Sequence, residues 1–137
     1  VISYKVPEGW KELPLSGIRK VNLVVKDETG QAELIVLAFP GDVGGRLANI
    51  NRWRGQIGLE AVEAGVLSSF SNSYTISGHS GLYVRLEGGS KSILGALLPF
   101  HGYTWFFKFL GDSETVLANE AAMICFIDSV RLEDTEH

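Results

Sequence analysis

The sequence predicts an α+β fold, a mostly antiparallel β-sheet sandwiched between helices, in a single domain over residues 1–137. Three observations predict it. Strand-length apolar stretches follow one another across turns too short for a crossover, so neighbouring strands run antiparallel. Two segments, 46–58 and 114–130, repeat their apolar residues at helical spacing. Two strands, 32–39 and 103–110, are apolar almost throughout, which suits a sheet centre covered on both faces.

The elements follow in order. Residues 2–6 alternate as a short strand, and Pro7, Gly9 and Pro14 then punctuate the chain. Residues 18–25 and 32–39 form a hairpin across the turn "DETG" at 27–30. The stretch "GDVGGRLANINRWRGQIG", 41–58, contains a helix over about 46–58, with Leu47, Ile50, Trp53 and Ile57 on one face. Asp42 and the glycines before it suit the helix entry, and Gly58 suits its exit. Gly55 inside it costs about 1 kcal/mol against alanine, so a close neighbour is expected there. Residues 60–70 read as a short helical turn. Strands at 73–78 and 81–88 come next, then a turn signal "GGS" at 88–90. Strands at 92–100 and 103–111 are joined by His101 and Gly102. The last helix, 114–130, takes Ser113 as its cap, and Leu117, Ala121, Ile124, Ile127 and Val130 as its buried stripe.

The net charge of −4 lacks the basic field that a non-specific nucleic-acid binder needs, and it argues against docking on an acidic membrane. No apolar run reaches the ~18 residues of a membrane span. The chain starts at Val1, so a leader or lipid anchor upstream is an open expectation. Cys125 lies in "AAMICFIDSV", where a buried small hydrophobe is expected. His79, His101, His137 and Cys125 show no metal-ligand spacing, and no cofactor motif is present.

On a helical wheel, Asn49, Arg52 and Gln56 cluster opposite the apolar stripe. They form a hydrogen-bonding face suited to a partner or polar ligand, although a solvated helix face also accounts for them. Arg54 falls on the side expected to meet the sheet. There it would need a carboxylate, with Asp42, Glu87 and Asp128 as conceivable partners, or would clamp a ligand anion. A buried pair predicts a loss of ~3–5 kcal/mol for Arg54→Ala, and a surface position predicts a change within about ±0.5 kcal/mol.

The loop "GDVGG" precedes a helix as phosphate loops do, but it lacks the Gly-Lys-Ser/Thr ending, and Asp42 would repel a phosphate. Ser80 follows His79 without any local signature of a catalytic triad. In "YTWFFKF", Tyr103, Trp105, Phe107 and Phe109 point one way, and Thr104, Phe106, Lys108 and Leu110 the other. This strand reads as core under a helix, with an aromatic ligand platform as the alternative.

Two stretches carry a family resemblance. They are the opening "YKVPEGWKEL" and the closing "TWFFKFLGDSETVLANEAAMICFIDSVRL". Together with the element order, they resemble the PsbP-like fold, an α/β/α sandwich. That fold is named for an extrinsic protein of the photosynthetic oxygen-evolving complex and is shared by a small Ran-binding nuclear transport factor. The middle, "GGRLANINRWRGQIGL", is similar to a group of bacterial envelope proteins, often lipoproteins. The resemblance implies a non-enzymatic binding or assembly module of the bacterial cell envelope. It would be periplasmic or membrane-anchored, with a cytoplasmic location as the alternative. No residue matches the photosynthetic metal sites or a Ran-binding surface.

Two functional expectations follow. A flat exposed stripe of Asn49, Arg52 and Gln56 would mark a module with a protein partner, and Arg54 and Asp42 complete the candidate binding residues. A deep pocket lined by Arg52, Arg54 or His79 would mark a small-molecule or hydrolytic site between segment 41–58 and the sheet edge.

Overall fold

The structure, a computed structural model, describes residues 2–133. Its elements are β1 (Ile2–Ser3), β2 (Lys11–Glu12), β3 (Val21–Asp27), β4 (Gly30–Pro40), α1 (Gly45–Gln56), a 3-10 turn (Ala64–Ser69), β5 (Ser71–Ile76), β6 (His79–Glu87), β7 (Lys91–Phe100), β8 (Tyr103–Asp112), α2 (Ser113–Ala118), α3 (Glu120–Ser129) and β9 (Arg131–Leu132). Seven strands form one sheet in the order β2-β3-β4-β8-β7-β6-β5. Every pairing in it is antiparallel. β1 and β9 form a separate pair that brings the two ends of the chain together.

The hairpin turns show why the strands pair in sequence. Ser77 and Gly78 join β5 to β6, and His101 and Gly102 join β7 to β8. All four have positive φ, between 49° and 81°, as a two-residue turn of the type I′ family requires. Alternation along each strand then assigns residues to faces. In β8, Trp105, Phe107 and Phe109 enter the core beneath α2 and α3. Phe106 enters a second core beneath α1.

The first core packs Leu23, Leu34, Val36, Leu94 and Phe107 of the sheet against Val116, Met123, Phe126 and Ile127. Trp10 closes its margin by stacking on Phe109, with ring centroids 4.7 Å apart. The second core sets Ile50, Trp53 and Ile57 of α1 against Leu82, Val84 and Leu86 of β6 and against Ile93 and Leu97 of β7. Gly95 makes this docking possible, since a Cβ there would lie 2.4 Å from the Trp53 ring. The indole rests on strand backbone that only glycine leaves bare.

Several expectations need correction. The opening strand is two residues long, and β2 was not foreseen. The last helix is two helices, interrupted at Asn119 (φ −103°, ψ 17°). The Thr115 carbonyl accepts both the Asn119 side chain at 2.8 Å and the Asn119 N–H at 3.2 Å, and Met123 N–H donates to the Asn119 carbonyl at 2.9 Å, so hydrogen bonds bridge the break. The buried stripe is Val116, Met123, Phe126, Ile127 and Val130, while Ala121 is exposed. Met and Phe bury more apolar area than Ala, and the helix turns to favour them. Cys125 is exposed beside that stripe, not buried. Gly55 has no neighbour within 4 Å of where a Cβ would stand, and Leu47 is half-buried.

Candidate ligand groove beside helix α1

Seven strands at the usual spacing span roughly 30 Å, whereas a helix with its side chains is about 10–12 Å wide. One helix therefore cannot cover a whole face. α1 sits over β6, β7 and part of β8, so the β3–β4 flank of that face stays open. The consequence shows on β4, where Ala32, Leu34 and Val36 are buried on the closed face. Ile35, Leu37 and Phe39, on the other face, are only half-buried.

A half-open groove of about 260 Å³ runs between α1 and this flank. Ile35, Leu37, Phe39 and Phe106 form its floor, and Trp53 and Val43 form its walls. Arg52, Gln56 and Lys108 supply its polar groups. Strand register explains how they meet. Asn22, Ile35, Lys108 and Gly95 lie in one row across β3, β4, β8 and β7. Trp53 occupies the space above Gly95, and Lys108 emerges beside it at the helix edge. At the other end of the row, buried Asn22 accepts a hydrogen bond from Arg19 at 3.2 Å.

Three cations thus bear on the groove, and each is held by a neutral amide oxygen. Lys108 Nζ donates to Gln56 Oε1 at 2.8 Å. Arg52 Nη1 donates to Asn49 Oδ1, and its guanidinium lies 5.6 Å from the centre of the Phe106 ring. Arg19 Nη1 donates to Asn22 Oδ1. Among the described residues, the ion pairs join Arg85 to Glu87 and Glu120, and Lys91 to Asp112, and none includes a groove cation. Burial, followed by the charges of Arg52 and Arg19, pushes the Lys108 ammonium below the usual lysine range. Glu33 shares the Ile35 face of β4 but lies in a neighbouring depression with Lys91 and Leu110.

The residues singled out in the sequence separate here. Arg52 and Gln56 line the groove. Asn49 is buried, and its Nδ2 donates to the carbonyls of Val43 and Gly45 at 3.2 and 2.7 Å. It therefore ties the glycine loop to α1 and orients Arg52, and the expected flat stripe is not formed. Asp42 shapes the same loop by accepting from the Gly44 N–H at 3.2 Å. Gly41, Gly44, Gly45 and Val43 all have positive φ there, so the glycines answer a backbone demand.

Arg54 lies on the opposite flank of α1, half-buried, donating to the Glu60 carbonyl at 2.6 Å and standing 5.2 Å from the Phe70 ring centre. The expected pairing with Asp42, Glu87 or Asp128 does not form. Position 54 faces the 59–62 segment, and Glu87 and Asp128 serve Arg85 and Tyr74 instead. His79 packs edge-on to Phe100 at a different place. His137 lies outside the described residues.

Sequence reasoning missed Arg19, Ile35, Leu37 and Phe39. One signal was present, a lysine in an otherwise apolar strand face, Phe106-Lys108-Leu110. Among the described residues, no group of three or more His, Cys, Asp or Glu side chains could hold a metal ion.

The seven-stranded antiparallel sheet with helices on both faces is a PsbP-like fold by its likeness to solved structures. The chain is similar in structure to LpqN of Mycobacterium tuberculosis, described as involved in cell envelope biogenesis. The TM-score is 0.62 at 15% identity, over 97% of this chain and 83% of that one. It is also similar to the cyanobacterial PsbP, CyanoP, of Synechocystis, with a TM-score of 0.58 at 10% identity over 96% and 86% of the two chains. A protein of unknown function from Pseudomonas aeruginosa superposes with a TM-score of 0.52 at 10% identity, over 98% of this chain and 85% of that one. No protein-family model matches the sequence. No curated protein matches it either. Among the described residues, no helix is long and apolar enough to cross a membrane.

Proposed function

We propose that the chain is a non-enzymatic binding module of the bacterial cell envelope, and that it holds its ligand in the groove beside α1. The observation that carries this reading is the apolar floor of Ile35, Leu37, Phe39 and Phe106 beneath cations that, among the described residues, have no carboxylate partner. Leaving apolar surface and charge unsatisfied together costs stability, and a bound ligand would offset both. The polar groups that line the groove are Arg52, Lys108 and Gln56, a set suited to binding and orienting an anion. A small ligand suits this half-open shape better than a broad protein surface does. The structural likeness to LpqN supports placement in the envelope.

The test is a ¹H–¹⁵N titration of the labelled chain with fractions extracted from a bacterial envelope. The expected result is that amide shifts gather at Ile35, Leu37, Phe106 and Lys108, and at Arg52 and Gln56 of α1. Shifts gathered at the His79 and His101 turns, or none with any fraction, would contradict it.

A further inference from the structure

We infer that the groove takes a single-chain amphipathic carboxylate, a medium-length alkanoate or a molecule ending in one. Its carboxylate would sit between Lys108 and Arg52, and its chain would lie along Leu37, Phe39 and Phe106. This rests on the binding reading above and gives it a ligand class.

Two features of the site argue for this class. The first is charge complementarity. Two of the cations, Arg52 and Arg19, lie near enough to Lys108 for their charges to disfavour its ammonium form, and among the described residues no carboxylate pairs with any of the three. In a protein of net charge −4, this is a local positive site, and one carboxylate satisfies it with charge-assisted hydrogen bonds. The second is size and shape. The volume of about 260 Å³ lies just under the range usual for drug-sized ligands, so the groove accepts one slender chain and not a two-chain lipid. Its floor is aliphatic and aromatic along β4 and β8, and the charged groups that line it, Arg52 and Lys108, lie at the α1 margin. An elongated ligand with a single charged end fits that layout.

The test is a calorimetric titration of the whole chain with octanoate, decanoate and dodecanoate, each below its micelle concentration, and with 1-decanol. Each added methylene that reaches the floor should tighten binding about fourfold. Decanol should bind about tenfold or more weakly than decanoate, because the charge-assisted contacts are gone. Gln56→Glu places a carboxylate where Gln56 Oε1 now accepts from Lys108, and it is nearly isosteric at an exposed position. That variant should melt no lower than wild type and lose decanoate binding about tenfold or more. Lys108→Met should lose affinity similarly, and Arg54→Gln, on the far flank, should bind as wild type does.

Equal affinity for decanol and decanoate would overturn the proposal, as would full binding by Gln56→Glu. Suppose instead that no alkanoate binds while an envelope fraction still shifts the groove amides. The ligand class then falls, the groove belongs to another occupant such as a peptide segment, and the binding reading stands. If neither binds, both fall.

Discussion

The two faces of the one sheet are finished differently. On the α2–α3 face, two helices and Trp10 cover the strands, and Phe107, Phe109 and Phe126 are fully buried. Arg85 on this face is paired with Glu87 and Glu120, and Tyr83 also donates to Glu120. On the α1 face, one helix covers β6 and β7 and stops, leaving half-buried aliphatic residues beside cations bound only to amides. The same alternation along β4 and β8 feeds both faces, so strand composition does not create the difference. Helix coverage does. The closed face spends its side chains on stability, and the open one keeps apolar area and charge available.

Neighbouring residues of β4 offer the largest test of that contrast. Leu34 is fully buried on the closed face, and Leu34→Ala should cost about 2–5 kcal/mol in a denaturant melt. Ile35→Ala, on the open face, should cost about 1 kcal/mol or less. Equal losses would show the open face to be as tightly packed as the closed one. Next in size is Gly95→Ala, which forces a methyl into the Trp53 ring and should cost about 1–3 kcal/mol while loosening α1. Indole fluorescence would report the shift.

A smaller effect comes from Lys108. Its folded pKa lies below its unfolded value, so between the two the unfolded chain binds more protons. Its contribution therefore makes stability rise with pH across the window from the lowered value up to 10.5. Lys108→Met should remove that rise, which pH-dependent melts of both proteins would show. Smallest of all, Arg54→Ala should stay within about ±0.5 kcal/mol, because its contacts are one backbone carbonyl and the face of the Phe70 ring, with no buried ion pair. A loss of ~3–5 kcal/mol would restore the buried pair.

Much of this fold is legible in the sequence because its signals are local. The alternation at 103–109 and the turn at His101 and Gly102 each depend on a few consecutive residues. So does the stripe of Ile50, Trp53 and Ile57. The break at Asn119 is a change of backbone angle at one residue, with the hydrogen bonds on either side kept, and helical periodicity does not register it. Arg54 was misplaced because a wheel gives angular position but not the element on the far side of the helix, which here is the 59–62 segment. The groove was legible only in fragments. Arg52 and Gln56 stood out on α1, but their meeting with Lys108, Ile35 and Arg19 depends on register across four strands and on how far α1 reaches over the sheet. Neither is written in any one stretch of chain.

The most direct measurement is the side-chain titration of Lys108 by NMR, in the free chain and with decanoate bound. The free ammonium should titrate below 10.5 and move back up when decanoate is bound, since an anion beside it favours the charged form. A Lys108 that titrates in the ordinary lysine range and is unmoved by decanoate would contradict a carboxylate site in this groove.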